Sequence, residues 1–412
     1  MSRSDRYAGG DLARYLLMGS TVFLLLAGLV MIYSAAFVSD YVNRGDSTHH
    51  FTRQLMWVAL GLVVMLVVKL VDYRALENKG VWVYGISLVG LVLVLVLGVG
   101  KWGAVRWIDV GPFTIQPSEY AKLGCIMVTA SLLSALQRNR IDQQDFWGRL
   151  LISVTGVTVL VMAQPDMGTT MSILISVFIV LVLGGLAWSF VAGIALVGAG
   201  AVAGAIVLAP YRAARFFAFL DPWADPQGGG YQTIQALLAF GSGGIDGVGV
   251  GMSRQKFFYL PAAHTDFIFA IIGEELGLFG TLSIVLAFGI FLYAGMRIAL
   301  GARDTYGRLL AGGLTAMIVV QAVMNMAAVT NLMPVTGIPL PLVSFGGSSM
   351  TFTMLCVGLI LSVSTNGCRG VRAVKNPESK ESVRARDDQR GRNGRPRLSG
   401  IGNGRAVARR RA

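Results

Sequence analysis

The most informative residues of this chain are charged ones that interrupt apolar sequence. His264 and Asp266 lie where a long loop enters an apolar helix, and Glu274 and Glu275 follow about two helical turns further along. An ordinary helix N-cap at Thr265 or Asp266 would explain one residue but not the other charges. Charges at membrane depth are costly and usually functional, so we expect a chemical site here.

A second group of charges surrounds the start of another apolar helix. Arg106 precedes a Pro-Ser-Glu-Tyr-Ala-Lys motif that ends at Lys122, and the proline suits the first helical turn. Glu119 and Lys122 are three residues apart, share a helix face and are expected to pair. The alternative interpretation is that the two charges only neutralise each other and have no further role. Further along, Asp166 lies in a tight turn, where we expect it to cap the next helix.

The long loop, residues 210–266, combines cations with glycines. Its candidate polar residues are Arg212, Arg215, Gln232 and Lys256. The glycine run at residues 241–251 has GxGxG-like spacing, but no strand–helix unit surrounds it, so a dinucleotide site is not predicted. Close backbone approach and unusual dihedral angles explain these glycines better.

A proline-rich segment, residues 331–349, precedes the last apolar stretch. Its three prolines within eight residues forbid a helix interior. At membrane depth such backbone is tolerated only inside the protein or along a cavity. The segment ends in Ser344-Phe-Gly-Gly-Ser348-Ser, which would open a helix with free N–H groups and provide a place for an anion.

Composition places all these residues in a membrane protein. Of the 412 residues, 54% are hydrophobic and 14% are charged, and the mean hydropathy is +0.63. Soluble proteins carry about 25% charged residues, so most of this surface must face lipid. A soluble enzyme, a secreted disulfide scaffold and a disordered chain are therefore excluded. The three cysteines have neither an even number nor metal-ligand spacing, and Cys125 and Cys356 are typical of a core.

The apolar segments predict ten membrane spans, each needing about 20 residues. The expected fold is all-α and polytopic, with the long loop outside the cytoplasm between spans seven and eight. Residues 167–211 hold two spans that turn near Gly184-Gly185, and residues 309–368 hold two more around the proline-rich segment. The other spans are 15–39, about 54–72, 80–100, about 116–136, about 147–163 and about 267–297.

The placement of lysine and arginine sets the expected orientation. Basic residues precede span one and follow spans four and eight, so both termini are predicted to be cytoplasmic. Residues 1–14 then form the N-terminus, 15–366 the transmembrane domain and 367–412 a disordered tail. From Arg369 onward the tail has 14 Lys/Arg and 4 Asp/Glu, which is ten of the 13 net positive charges. Contact with anionic lipid is favoured over nucleic-acid binding, and no nucleic-acid partner is predicted.

Taken together, the motifs resemble the SEDS family (shape, elongation, division and sporulation), which includes FtsW, RodA and SpoVE. Each motif is weak alone, but all occur in family order across about residues 15–365. The sequence from His264 to Gly277 resembles FtsW more than RodA. The matching segments are Arg106-Trp-Ile, Gln116-Pro-Ser-Glu119-Tyr-Ala-Lys122, Gln164-Pro-Asp-Met-Gly-Thr169, Asp221-Pro-Trp, Gly230-Tyr-Gln232, Leu260-Pro, His264-Thr-Asp-Phe-Ile-Phe-Ala, Glu274-Glu-Leu-Gly and Pro339-Leu-Pro-Leu-Val-Ser-Phe-Gly-Gly-Ser-Ser349.

The resemblance implies a peptidoglycan glycosyltransferase that polymerises lipid II into glycan strands on the outer face of the bacterial cytoplasmic membrane, at the division septum. The implied partners are lipid II, the growing glycan strand, an FtsI-like class B penicillin-binding protein that cross-links the strands, and other divisome membrane proteins. Competing interpretations are a lipid II flippase, an ion-coupled transporter, a non-catalytic scaffold and a RodA-like elongation polymerase. The collection of charges on one side favours an enzyme over a flippase, and no inverted repeat is evident.

The resemblance also implies roles for individual residues. Asp266 matches the catalytic aspartate of the family and is expected to act as general base in an inverting displacement of undecaprenyl pyrophosphate. Family members often have a glutamate after Leu-Pro, but this chain has Ala262, which weakens any mechanism with a second carboxylate beside Asp266. No cofactor is assigned; a divalent cation such as Mg²⁺ or Mn²⁺ on the pyrophosphate stays open, and no ligand cluster is visible. The expected substrate-binding residues are Arg106, Glu119, Lys122, Arg212, Arg215, Lys256, His264, Ser344 and Ser348, and the supporting residues are Asp166, Gln232, Glu274 and Glu275.

Overall fold

The structure is a computed structural model, and it describes residues 3–101, 104–110, 113–186, 188–207 and 210–374. The chain divides into two compact units, Met1–Gly367 and Cys368–Ala412. From residue 375 onward the predicted disordered tail lies outside the described residues, and its disorder remains a prediction.

Helices dominate the part of the chain that the structure describes. The twelve α-helices are α1 (Arg3–Arg44), α2 (His49–Leu70), α3 (Gly80–Leu97), α4 (Pro117–Gln137), α5 (Gln143–Ala163), α6 (Met167–Leu183), α7 (Trp188–Val207), α8 (Pro210–Leu220), α9 (Tyr231–Gly243), α10 (Ile268–Leu300), α11 (Thr305–Val329) and α12 (Gly347–Val374).

Ten of these helices, all except α8 and α9, overlap the ten predicted spans, although α1 begins at Arg3 and α12 ends at Val374, both outside the predicted bounds 15–366. Among the described residues, eight are long and apolar enough to cross a membrane. The other two are α6, which is apolar but has 17 residues, and α7, which has 20 residues and no charge. The predicted turn between them is confirmed, because Gly184 caps α6 and Gly185 has a φ of +79° that favours glycine.

Burial separates a central group of helices from a peripheral one. In α4, α11 and α12 most of the apolar stretch is buried inside the protein, whereas α2, α3 and α5 bury only a small part of theirs. The peripheral helices expose large side chains such as Trp82, Leu97 and Ile152. Extensive exposed apolar surface of this kind is typical of helices that face lipid.

The connection between α3 and α4 contains a feature that the all-α prediction missed. Three short strands, β1 (Val99–Lys101), β2 (Ala104–Val110) and β3 (Phe113–Ile115), form an antiparallel sheet in that order. In the second ladder Ile108 pairs with Ile115. Neighbouring side chains on a strand point to opposite faces, so the sheet directs Arg106 away from Trp107 and gives the arginine a defined position.

The predicted long loop contains α8, a short 3₁₀ turn (Pro222–Ala224) and α9, and its glycine run then packs into a break in α10. The break lies at Gly277, where φ is +63° and ψ is −156°. Val248 N–H donates to the Glu274 carbonyl oxygen at 2.9 Å. A Cβ added to Gly247 would lie only 2.3 Å from the Glu275 carbonyl oxygen. The predicted close backbone approach of these glycines is therefore confirmed.

Candidate active site

Two non-helical segments, the turn that precedes α10 and the proline-rich segment between α11 and α12, are tied together by hydrogen bonds. Phe345 N–H donates to the His264 carbonyl oxygen at 3.0 Å. The Ser344 hydroxyl donates to the Thr265 carbonyl oxygen at 2.6 Å and accepts from Leu340 N–H at 2.8 Å. These bonds satisfy backbone groups that have no helical partner. They bring two of the predicted motifs into direct contact.

Asn325 of α11 fixes the main chain of both segments. Its Nδ2 donates to the Asp266 carbonyl oxygen at 2.7 Å and to the Ile338 carbonyl oxygen at 2.8 Å. The side chain is buried, so these bonds form where water does not compete. Asp266 is thereby anchored by its backbone, which leaves its carboxylate to face other groups.

The carboxylate of Asp266 and the guanidinium of Arg106 converge on Gly337. This glycine has a φ of +69°, a conformation that other residues rarely adopt. A Cβ added there would lie 3.6 Å from Asp266 Oδ2 and 4.0 Å from Arg106 Nη1. The lack of a side chain at position 337 therefore allows both charged groups to approach the same stretch of backbone.

Arg106 is held by the turn between α5 and α6. Its Nη2 donates to the Pro165 carbonyl oxygen at 2.5 Å, and its Nε lies 3.8 Å from Asp166 Oδ2. Asp166 also caps α6, since it accepts from the Thr169 N–H at 3.1 Å and the Thr169 hydroxyl at 2.8 Å. The predicted cap is confirmed, and the same carboxylate also faces Arg106.

A cavity of about 180 Å³, here called the arginine cavity, opens beside these groups. Arg106, Arg212 and Arg215 all contribute to its wall, and the Arg215 Nη1 donates to the Val335 carbonyl oxygen at 3.4 Å. The hydroxyl of Thr336, which also lines the cavity, has no hydrogen-bond partner among the described residues. Most other lining atoms are apolar. Three guanidinium groups around an apolar space form a suitable site for a multiply charged anion.

Burial raises the pKa of Asp266 to about 6. The charges of Arg106 and Arg215 oppose this rise in pKa, and Asp166 adds to it. Part of the residue surface remains exposed, so the carboxyl is accessible although the surrounding protein solvates it poorly. A carboxyl group with this pKa is ionised at neutral pH and is a stronger base than an ordinary aspartate.

The predicted ion pair on α4 is present, but neither of its residues lines the arginine cavity. Lys122 Nζ lies 2.9 Å from Glu119 Oε2 and donates to Gln321 Oε1 at 2.6 Å. Both charged side chains are buried. Gln321 in turn donates to the Pro339 carbonyl oxygen at 3.1 Å. In this structure the pair therefore supports the proline-rich segment from inside the protein.

A second buried group of charges, here called the lysine cluster, consists of Lys256, Glu274, Glu275, Ser34 and Ser253. Lys256 Nζ lies 3.2 Å from Glu275 Oε1, which also accepts from the Ser34 hydroxyl at 2.6 Å. Glu274 accepts from the Ser253 hydroxyl. The sequence predicts Lys256 as a pyrophosphate ligand, but the structure places it within this cluster and not at the arginine cavity.

The remaining predicted residues are distributed around the two tied segments. The Ser348 hydroxyl accepts from Gln116 N–H at 3.1 Å, so it joins the start of α12 to the start of α4. His264 packs against the ring of His50, with 4.5 Å between the ring centroids. Gln232 is partly exposed on α9 and does not line the arginine cavity.

Three residues at the candidate site were not predicted: Asn325, Thr336 and Gly337. Thr336 and Gly337 lie inside the proline-rich segment. The prolines identified this segment as unusual but did not indicate which of its residues belong to the site. Asn325 carries an amide within a mostly apolar span, as Gln321 does, and such a polar side chain was the available signal.

Known proteins resemble this chain over most of its length. Residues 15–368 match the family model FTSW_RODA_SPOVE, described as cell cycle protein. The chain is 42% identical over 351 residues to Stage V sporulation protein E of Bacillus subtilis (strain 168), covering 85% of this chain and 96% of that protein. It is 40% identical over 362 residues to the probable peptidoglycan glycosyltransferase FtsW of Trichlorobacter lovleyi, covering 87% and 94%.

Solved structures resemble the fold as well. One, described as showing structural coordination of polymerization and crosslinking by a peptidoglycan synthase complex, has a TM-score of 0.69 at 29% identity and covers 84% of this chain and 97% of that chain. The rod shape determining protein RodA of Thermus thermophilus has a TM-score of 0.64 at 29% identity and covers 86% and 97%.

Proposed function

The chain belongs to the FtsW/RodA/SpoVE family of cell cycle proteins, the SEDS family, and we propose that it polymerises lipid II with Asp266 as general base. It is a peptidoglycan glycosyltransferase, the activity named for relatives that are 36% to 40% identical. The observation that carries the assignment of Asp266 is its convergence with Arg106 at Gly337, beside a cavity lined by three arginines.

The proposed reaction joins the 4-hydroxyl of an acceptor sugar to C1 of a lipid-pyrophosphate donor. The donor bond is α and the product bond is β, so one inverting displacement is sufficient. Asp266 takes the hydroxyl proton while the new O4–C1 bond forms and the C1–O bond to the pyrophosphate breaks. No covalent nucleophile is required. Anchoring of the Asp266 main chain by Asn325 supports this role, because a base must be held in position to be effective.

Arg106, Arg212 and Arg215 are proposed to hold the pyrophosphate as it leaves. Arginine stays charged at every working pH and donates two parallel hydrogen bonds to phosphate oxygens. Donors that are already in place stabilise charge that develops in a transition state, and an apolar surrounding strengthens the interaction. Thr336, with a hydroxyl that has no partner among the described residues, adds a further donor to this wall.

A divalent cation such as Mg²⁺ or Mn²⁺ is proposed only as a companion of the substrate pyrophosphate. Among the described residues, no group of three or more His, Cys, Asp or Glu side chains is arranged to hold a metal ion. Asp166 and Asp266 both face Arg106, and Arg215 also favours the ionised form of Asp266. No step of the proposed mechanism is therefore assigned to a metal.

We also propose that the arginine cavity faces outward, with both termini in the cytoplasm, which the lysine and arginine distribution supports. The proposed location is the division septum, which the resemblance of the sequence motifs to FtsW implies. The proposed partners are lipid II and the growing glycan strand, an FtsI-like class B penicillin-binding protein and other divisome membrane proteins. A solved relative described as coordinating polymerization and crosslinking supports a transpeptidase partner.

The decisive experiment measures polymerisation of lipid II by the purified protein with its transpeptidase partner. Asp266→Asn keeps the shape of the side chain but removes its basicity, so we expect a loss of at least about 100-fold. Asp246→Asn, which alters an exposed aspartate of the same loop, is the matched control and should be fully active. Normal product from Asp266→Asn with unchanged membrane insertion and partner binding would refute the assignment.

The pH dependence of the reaction provides an independent test. Asp266 must be deprotonated to act and has a pKa of about 6, so kcat/KM should fall about tenfold per pH unit below that value. Because Arg106 lowers this pKa, Arg106→Gln should move the acid limb to higher pH. An acid limb near pH 4 in the wild type would show that the base is an ordinary, well-solvated carboxylate.

A further inference from the structure

The three histidines of the chain lie together, although they come from distant parts of the sequence. His49 and His50 begin α2, and His264 lies two residues before Asp266. The ring centroids are 5.5 Å apart for His49 and His50, and 4.5 Å apart for His50 and His264. The proposed displacement uses none of these rings for proton transfer, so the cluster requires its own explanation.

Asp40, near the end of α1, sets the orientation of His50. Its Oδ2 accepts the His50 backbone N–H at 2.8 Å, and its Oδ1 accepts from the His50 ring Nδ1. Asp40 is 1% exposed, so its carboxylate depends on these two donors and not on water. A carboxylate bound to Nδ1 selects the tautomer and the ring plane of a histidine. His50 is therefore held firmly from the side of α1.

On its other side, His50 packs against both segments of the candidate active site. Its ring lies beside that of His264 and meets Phe345 edge-on, with 4.7 Å between the centroids. The Phe345 N–H donates to the His264 carbonyl oxygen at 3.0 Å. One ring thus contacts the turn before α10 and the proline-rich segment at the place where they are tied together.

Electrostatics are compatible with a stable contact between the two imidazoles. Burial, and then the neighbouring His50, lower the pKa of His264 to about 4, against the opposing effect of Asp40. The His264 ring is therefore neutral near pH 7, and the pair does not consist of two cations. The contact is maintained under the conditions in which Asp266 is ionised.

We propose that His50, oriented by Asp40, is a positioning residue for Asp266. It holds His264 against Phe345, and two residues of main chain transmit this restraint to Asp266, limiting its movement relative to Arg106. The inference rests on the proposed role of Asp266 and adds a residue of α2 to that site. A misplacement of about 1 Å in a catalytic group costs about 100-fold in rate, so partial loosening should be visible in kcat.

The test compares kcat and KM of three variants, each per folded molecule and with the transpeptidase partner. His50→Asn keeps a donor for Asp40 but lacks the ring, and should lower kcat about tenfold with KM for lipid II within about twofold. His49→Asn, at the partly exposed neighbour, is the control and should keep the wild-type kcat. Asp40→Asn/His50→Phe restores an aromatic ring without a buried unpaired carboxylate, and should recover kcat to within about threefold.

Several results would overturn the proposal: wild-type kcat in His50→Asn, an equal loss in His49→Asn, or no recovery in the double variant. A purely structural role would lower the melting temperature while kcat per folded molecule stayed constant. If His50→Asn does not fold, Asp40→Asn/His50→Ala replaces it, because it removes the ring without leaving an unpaired carboxylate, and a wild-type kcat in that variant overturns the proposal. An active Asp266→Asn enzyme would instead refute the proposed function itself, whereas an inactive one together with a normal His50→Asn refutes only the positioning role.

Discussion

The arginine cavity and the lysine cluster both place cations beside carboxylates, but they differ in where the charge is directed. Lys256 is 6% exposed, and its ammonium group is satisfied by Glu275, by Ser34 at 3.2 Å and by the Gly251 carbonyl oxygen at 2.5 Å. Arg215, by contrast, is exposed and lines an open cavity. The charges of the lysine cluster compensate one another, whereas Arg215 directs its charge into the arginine cavity.

This difference shows which property of a charged residue indicates a substrate site in a membrane protein. Burying a cation costs several kcal/mol unless nearby groups compensate its charge. A cation that is paired inside the protein therefore needs no ligand to compensate it. A cation that faces a cavity is compensated by water or by a ligand. In the sequence, Lys256 and Arg215 were equivalent candidates for pyrophosphate binding, and only their surroundings distinguish them.

The largest expected effect is a loss of stability in Lys256→Met. Removing the ammonium leaves Glu275 buried without its cation, which should lower the free energy of unfolding by about 3–5 kcal/mol. Unfolding by denaturant in detergent micelles measures this change. The double variant Lys256→Met/Glu275→Gln should recover most of the loss. A Lys256→Met protein that is fully stable but inactive would place Lys256 in the substrate site after all.

Arg215→Gln should show the opposite behaviour, with a loss of activity and little change in stability. Loss of one donor to developing charge should lower kcat/KM by about 100-fold, while an exposed substitution should alter the free energy of unfolding by less than about 0.5 kcal/mol. Arg254→Gln, at another exposed arginine of the same loop, is the matched control. Equal activity of the two variants would remove Arg215 from the proposed pyrophosphate site.

The buried pair on α4 should behave as one unit. Glu119→Gln and Lys122→Met each leave a buried partner unpaired, so the double variant should be less destabilised than the sum, with a coupling energy of about 1–2 kcal/mol. A double-mutant cycle on unfolding free energy measures the coupling. If the two changes in unfolding free energy were strictly additive, the 2.9 Å contact between Lys122 and Glu119 would contribute no pairwise energy to stability.

The smallest effect is expected from the basic tail that follows Cys368, which the proposed orientation places in the cytoplasm. Its ten net positive charges would lie across the bilayer from the reacting sugars, about 30 Å away. A chain ending near Cys368 should therefore polymerise lipid II in detergent within about twofold of the normal rate, although its membrane localisation should weaken. A folded, partner-bound but inactive truncated protein would show that the tail acts on the cavity through the helices.

Features that depend on near neighbours or on transfer into lipid could be predicted from the sequence. The ten spans were recognisable because each segment must be apolar over its whole length to cross a bilayer, whatever it packs against. The Asp166 cap and the Glu119–Lys122 pair were predictable because both partners lie within three residues of each other. The small sheet was missed because β1 and β3 have only three residues each, too few to show an alternating pattern.

The arrangement of the candidate site was decided by packing between distant segments. Asp266, Arg106 and Gly337 come from three different connections between helices, and nothing in their local sequence states that they meet. The same applies to Lys256, whose side chain could have faced a substrate or a buried glutamate. Sequence composition limits which groups exist at the membrane edge, but burial, pKa and partners depend on the three-dimensional surroundings. Only the folded bundle therefore separates the charges that satisfy one another from those that face a cavity.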